Sequence, residues 1–253
     1  MTPQPALSRP PTAIVVLNGD DVYEDLFSAG LKLTELLAGL GFAARTAMGT
    51  ARLAALAQAP ADLIVLYTAM GHFPPARQAA LAEAVGAGAG LLAVHASNVF
   101  PSADGRLDED FRLAYELIGS RYVSHGPRPH ESRFVVESEP GHMITRNRGP
   151  FAISHEHYQL ELAADAEVVA WRQVGAGREP VLHVRQHGRG RVCYLQLGHD
   201  MRAWDDPFVR TLITRAAWWA VAGASTDRAS TDRESTDGAS TDRESTEKEA
   251  VAV

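Results

Sequence analysis

Several features that would place a protein quickly are scarce in this chain. It has one cysteine, Cys193, so no internal disulfide can form, and such sparing use of cysteine suits a reducing compartment. Apolar runs are short. The stretch from Ala216 to Val221, with Trp218 and Trp219, falls far short of the roughly 20 residues that a membrane span needs. The segment from Met1 to Pro11 is rich in proline and has no apolar core of the kind that signal peptides carry. Excess positive charge is also missing. The net charge is −7, and no basic face of the sort that binds nucleic acid is expected. These absences predict a cytoplasmic protein with neither a nucleic-acid nor a membrane partner.

The last thirty residues differ from the rest. From Ala224 the chain runs ASTDR, ASTDR, ESTDG, ASTDR, ESTEK, without aromatic or aliphatic residues until Ala250 to Val253. Eight acidic and four basic residues place much of the net negative charge there. Such a segment cannot bury enough apolar area to offset its ordering entropy, so residues 224–253 are expected to be disordered, as are residues 1–11. Residues 12–223 suffice for one domain with a full core.

Within that domain, Ala13 to Leu17, Asp62 to Tyr67 and Gly90 to His95 are short runs rich in Val, Ile and Leu. They read as parallel strands covered on both faces. Phe42 to Thr46 is a further strand, and Phe27 to Leu40 and Pro75 to Val85 carry helical spacing. The alternation is that of a doubly wound α/β sheet. A helix is expected over Asp108 to Ile118. Beyond it, His130 to Glu137, Ile153 to Leu162, Glu167 to Gln173, Pro180 to Gln186 and Arg191 to Leu197 read as additional strands. Gly188-Arg189-Gly190 has the glycine content of a hairpin turn rather than a phosphate site, because no strand-to-helix context follows it. Pro207 to Ala222 closes the chain as a helix capped from Asp205-Asp206.

Polar residues stand where the parallel strands end, and in such folds that edge holds ligands. His95 follows the strand from Gly90, at the position where hydrolases place a nucleophile. Asp20 and Asp21 follow the first strand, either as ligand contacts or as caps. Ser97 reads as a helix cap. His199 and Asp200 follow the last strand behind Gly198, a glycine that allows close approach of the backbone. His125, His130, His142, His155 and His157 form a histidine-rich stretch. On one strand His155 and His157 would share a face, with Glu156 and Tyr158 on the other. The His-x-His pair could chelate a metal, but no third ligand stands at a readable spacing. No cofactor is therefore evident, and a divalent metal is the minor alternative.

Four segments together carry a family resemblance: Ala87 to Ser97 (AGAGLLAVHAS), Gly141 to Thr145 (GHMIT), Ser154 to Tyr158 (SHEHY) and Pro180 to Asp200 (PVLHVRQHGRGRVCYLQLGHD). In this order they resemble the ThuA-like, or trehalose-utilisation, family. That family's pattern is a glycine-rich turn into a strand ending in His, then HPIT, DExY and a GKGRVFY strand ending in GHD. Met143 stands where the family usually has proline, and His155 where it usually has aspartate. The resemblance implies a flavodoxin-like fold, similar to the class I glutamine amidotransferase domain, with extra strands in the C-terminal half. Glutaminase chemistry does not follow, because His95 occupies the position of the elbow cysteine.

The resemblance also implies a carbohydrate ligand, such as trehalose, another disaccharide or a keto-sugar, with a sugar dehydrogenase as pathway neighbour. His95, Glu156 and His199 are the expected catalytic residues, acting by acid/base chemistry. Asp20, Asp21, His125, His142, Tyr158 and Asp200 are the expected sugar-binding residues, with Asp20 or Asp200 orienting an imidazole. Two alternatives remain open at this stage, a non-catalytic sugar-binding or regulatory domain and a metal-dependent lyase or hydrolase. Homo-oligomerisation is left open as well.

Overall fold

The computed structural model describes residues 9–19, 22–99 and 111–222. The expectations for residues 1–8, for Asp20 and Asp21, for the start of the helix from Asp108 and for the repeat tail lie outside the described residues.

Five parallel strands form one half of a nine-stranded sheet. They are β1 (Thr12–Gly19), β2 (Ala43–Met48), β3 (Leu63–Ala69), β4 (Gly90–Val94) and β11 (Gly190–Leu195), in the order β2-β1-β3-β4-β11. The flavodoxin-like doubly wound order is thus present. The sheet continues with the antiparallel strands β10 (Gly177–His187), β9 (Glu167–Val174), β6 (Glu131–Ser138) and β7 (Phe151–Glu156).

The apolar runs of the parallel strands serve two cores. Ala13, Val15 and Leu17 of β1 face one layer, with Leu26, Ala29, Leu33 and Leu37 of α1 (Leu26–Gly39). Ile14 and Val16 face the other, with Leu81 and Val85 of α2 (Pro75–Gly86) and Leu117 and Ile118 of α3 (Arg112–Ile118). A strand buried on both faces needs apolar side chains at every position, which is why these runs do not alternate.

The short helix α4 (Met201–Asp205) leads into α5, residues 207–222. Asp206 accepts hydrogen bonds from the Phe208 and Val209 backbone N–H groups, the expected cap. Trp218 packs against Phe42, with ring centroids 4.8 Å apart. Gly188-Arg189-Gly190 is the hairpin between β10 and β11, with His187 paired to Gly190. Among the described residues no helix is long and apolar enough to cross a membrane.

The expected strand from Ile153 to Leu162 is two strands in two sheets. The last rung of β7 on β6 pairs Glu156 with Glu131, and the chain then leaves the sheet. It resumes as β8 (Gln159–Leu162), paired with β5 (Ser120–Ser124) in a separate antiparallel pair. At the break the His157 N–H donates to the His130 carbonyl. β6 offers no further partner there, and a departing chain can carry Tyr158 across the ends of the parallel strands.

Candidate functional site

The strand ends gather the polar groups. β4 stops at Val94, and His95 takes a left-handed backbone with φ 50°, opening one turn of 3-10 helix. For a residue with a side chain this conformation costs about 1–3 kcal/mol and persists only where the surroundings enforce it. The His95 side chain is fully buried. Its Nδ1 lies 2.7 Å from the Gln196 carbonyl, to which it donates. Its Nε2 lies 2.9 Å from the Tyr158 hydroxyl, 3.1 Å from Glu24 Oε1 and 3.6 Å from Glu156 Oε2. The Tyr158 ring stacks on the imidazole with centroids 4.7 Å apart.

Glu24 comes from the loop between β1 and α1 and is buried. Its Oε1 also lies 3.2 Å from His199 Nδ1, and its Oε2 accepts from the Tyr67 hydroxyl of β3 at 3.1 Å. His199, beyond the end of β11, has a side chain 26% exposed and lies 3.4 Å from Glu156 Oε2. Glu156, 19% exposed, also lies 3.6 Å from His125 Nε2. His125 in turn contacts the Tyr122 hydroxyl through Nδ1 and stacks on His130. Two carboxylates and three imidazoles thus meet in one cluster, with Glu24 and His95 beneath and Glu156, His199 and His125 toward solvent.

The charges of these groups depend on one another. Burial works against charging Glu24, but the hydrogen bond with His199 and the contact with His95 outweigh it and hold its carboxyl below the usual range. Burial likewise opposes the imidazolium of His95, and the contacts with Glu156 and Glu24 overcome it and raise its pKa. Glu156 is held down, against burial, by His95, His199 and His125. The bond to Glu24 raises His199. The two carboxylates are thus held as anions by the imidazoles beside them.

His155, at the position where the family usually has aspartate, acts on the backbone. Its Nε2 accepts from the N–H groups of Gly198 and His199 at 2.9 and 3.1 Å, and its Nδ1–H donates to the Glu156 carbonyl. Burial and the charge of His95 drive its pKa down to about 3, so the ring is neutral and keeps Nε2 as an acceptor. His155→Phe keeps the ring volume and leaves two backbone donors unpaired. Urea unfolding is expected to show a loss of about 1–3 kcal/mol, and unchanged stability would mean that the Gly198-His199 turn does not depend on this ring.

The remaining candidate residues have other partners. Asp200 does not orient an imidazole. It caps α4, accepting from the N–H groups of Arg202 and Ala203, and pairs with the Arg202 guanidinium. His142 lies in a turn away from the cluster, where its Nδ1 accepts from the Ile144 N–H and its ring meets Trp219. Ser97 is no helix cap. Its hydroxyl lies 2.6 Å from both the Leu66 and Val94 carbonyls, tying β3 to β4. His155 and His157 do not converge on a shared ligand, since His157 Nε2 meets the Ser132 hydroxyl. Cys193 is buried within β11, and burial raises its thiol pKa.

Glu24 is the residue that the sequence reading missed. An acid between a strand end and a helix reads as a cap, and its neighbour Asp25 is the one that caps α1 by accepting from the Ser28 N–H. The available signal was that two acids at 24 and 25 exceed what one cap needs.

The family profile ThuA, described as trehalose utilisation, matches residues 14–220. Among solved structures, a putative ThuA-like protein from Parabacteroides merdae is 16% identical with a TM-score of 0.64, over 85% of this chain and 91% of that one. Another from Bacteroides uniformis is 17% identical with a TM-score of 0.62, over 85% and 93%. The cold-adapted beta-galactosidase from Rahnella sp. R3 is 14% identical with a TM-score of 0.59, over 85% of this chain but 31% of that one. At these identities the likeness is one of fold. A comparison with curated protein sequences finds no match. The profile spans nearly every strand and helix that builds the site, and the chain belongs to the ThuA family.

Proposed function

We propose that this protein is an enzyme of carbohydrate catabolism that moves protons on an oxidised sugar, with keto-glycosides as the substrate class. Family membership supports the carbohydrate role. The observation that carries the chemistry is the placement of Glu156. Its carboxylate stands on the open side of the cluster, 3.4 Å from His199 and 3.6 Å from His125 and His95.

A ketone acidifies the neighbouring C–H. Glu156 takes that proton, and the electron pair passes into the carbonyl to give an enolate, whose negative oxygen needs positive charge beside it. Return of the proton to another carbon isomerises the sugar, and loss of a β-substituent completes an elimination. His199 and His125, each partly exposed, meet the sugar hydroxyls. His95 has no exposed surface, so it is a positioning residue that holds Glu24 and Tyr158 in place. A sugar dehydrogenase would supply the ketone.

The test is to incubate the protein with 3-keto-trehalose and related keto-glycosides in D₂O and to follow the C–H signals next to the ketone by NMR. Protein-dependent loss of those signals, with or without product, is the expected result. Calorimetric binding with no exchange across the panel would overturn the enzymatic reading in favour of a sugar-binding domain.

A further inference from the structure

We propose that Glu24, His95 and His199 bind a divalent first-row transition-metal cation at the floor of the cluster. One atom from each, Glu24 Oε1, His95 Nε2 and His199 Nδ1, lies within 4.8 Å of the other two. Oε1 is 3.1 Å from Nε2 and 3.2 Å from Nδ1. Ligand atoms held about 2.0–2.2 Å from one metal ion stand roughly 3.0–3.5 Å apart from their neighbours, so both separations suit a shared cation.

The outer atoms of two ligands are already committed in the way that metal ligands require. His95 donates its Nδ1–H to the Gln196 carbonyl at 2.7 Å, which aims Nε2 at the cluster. Tyr67 donates to Glu24 Oε2, which leaves Oε1 turned toward His95 and His199. The three ligands come from the segments that follow β1, β4 and β11, and a cation between them would hold these segments together while balancing a buried carboxylate. Of the other nearby histidines, His155 is engaged with two backbone N–H groups and His157 with Ser132, while His125 reaches Glu156 through Nε2 and the Tyr122 hydroxyl through Nδ1.

Two imidazoles and one carboxylate favour zinc, cobalt, manganese or iron over calcium or magnesium. Three protein ligands leave room for a further one, as catalytic sites do. Glu156 Oε2, 3.6 Å from His95 Nε2 and 3.4 Å from His199 Nδ1, flanks the side on which that ligand would bind. The binding site stands on its own geometry. Its role, polarising the sugar ketone while Glu156 takes the adjacent proton, rests on the function proposed above.

The full chain, stripped with a chelator, is titrated with Zn²⁺ by calorimetry and with Co²⁺ by visible absorption. One cation per chain is expected. Glu24→Gln and His199→Ala should each weaken it at least about 100-fold, whereas His142→Ala, away from the cluster, should leave it unchanged. Equal affinity in all of these proteins, or no binding by the stripped wild type, would overturn the site. Should either ligand variant fail to fold, X-ray absorption of the zinc-loaded wild type decides, since a shell without two imidazoles would overturn it too. Deuterium exchange in keto-glycosides then separates the claims. Zinc bound without exchange leaves the site standing and removes the reaction, and exchange as fast in the stripped protein removes the role of the cation alone.

Discussion

Replacing Glu156 with glutamine is expected to lower the rate of deuterium exchange next to the sugar ketone by about 10²–10⁴-fold, the usual contribution of a positioned general base. The change is nearly isosteric. An amide fills the same space beside His95, His199 and His125 but cannot take a proton. Because the loss falls on the proton transfer and not on the fit of the sugar, kcat should drop while the calorimetric Kd stays within a few-fold. A variant whose exchange rate matches the wild type would remove Glu156 from the chemistry. A variant that loses sugar binding and catalysis in equal measure would show that the carboxylate holds the substrate rather than reacting with it.

The elements that surround Glu156 differ in how far the sequence discloses them, and the reasons are physical. The run around Ala13 to Leu17 is legible because β1 is covered on both faces, so nothing but apolar side chains fits there. The β10–β11 hairpin and the cap of α5 are legible because each is a local arrangement of a few neighbouring residues. The order β10-β9-β6-β7 is not, since pairing between distant segments leaves no local mark. Nor is the break between β7 and β8. Apolar residues fall at odd positions in Phe151 and Ile153 and at even ones in Tyr158, Leu160 and Leu162, but the polar His155-Glu156-His157 between them blur that change of phase.

Among the candidate site residues the same division holds. Strand ends fix where His95 and His199 lie, because a buried strand in a parallel sheet delivers its next residue to a known edge. His125 and His142 are alike in sequence, each in a glycine-containing loop. One reaches Glu156 and the other packs by Trp219, a difference that depends on where β5 and the turn before β7 sit in space. Glu24 was hidden by its resemblance to a cap, and its partner Tyr67 by its place inside an apolar strand.

Gly198 joins the end of β11 to His199, and Gly198→Ala is expected to be strongly destabilising. Its φ of +141° lies where L side chains are rarely found. A Cβ there would stand 2.9 Å from Val94 Cγ1 and 3.2 Å from Trp204 Cζ2, both buried. The first separation is too short for carbon atoms, so either β4 or the turn must move. Backbone strain of about 1–3 kcal/mol and a similar cost for overpacking give a loss of roughly 2–6 kcal/mol, or a fall in Tm on the order of 10 °C for a domain of this size. The displacement would also be felt at the site. The Gly198 N–H is one of the two that His155 accepts, and the Gly198 carbonyl lies 2.9 Å from the Tyr67 hydroxyl that holds Glu24. Gly39→Ala is the matched control. Gly39 closes α1 with nothing within 4 Å of an added Cβ, so the same substitution there should raise stability by up to about 1 kcal/mol. Calorimetric melting of the two variants distinguishes a general glycine effect from a local one. If Gly198→Ala melts within a degree of the wild type, the turn has room that the observed contacts deny, and His199 is not held against Glu24 by the backbone that precedes it.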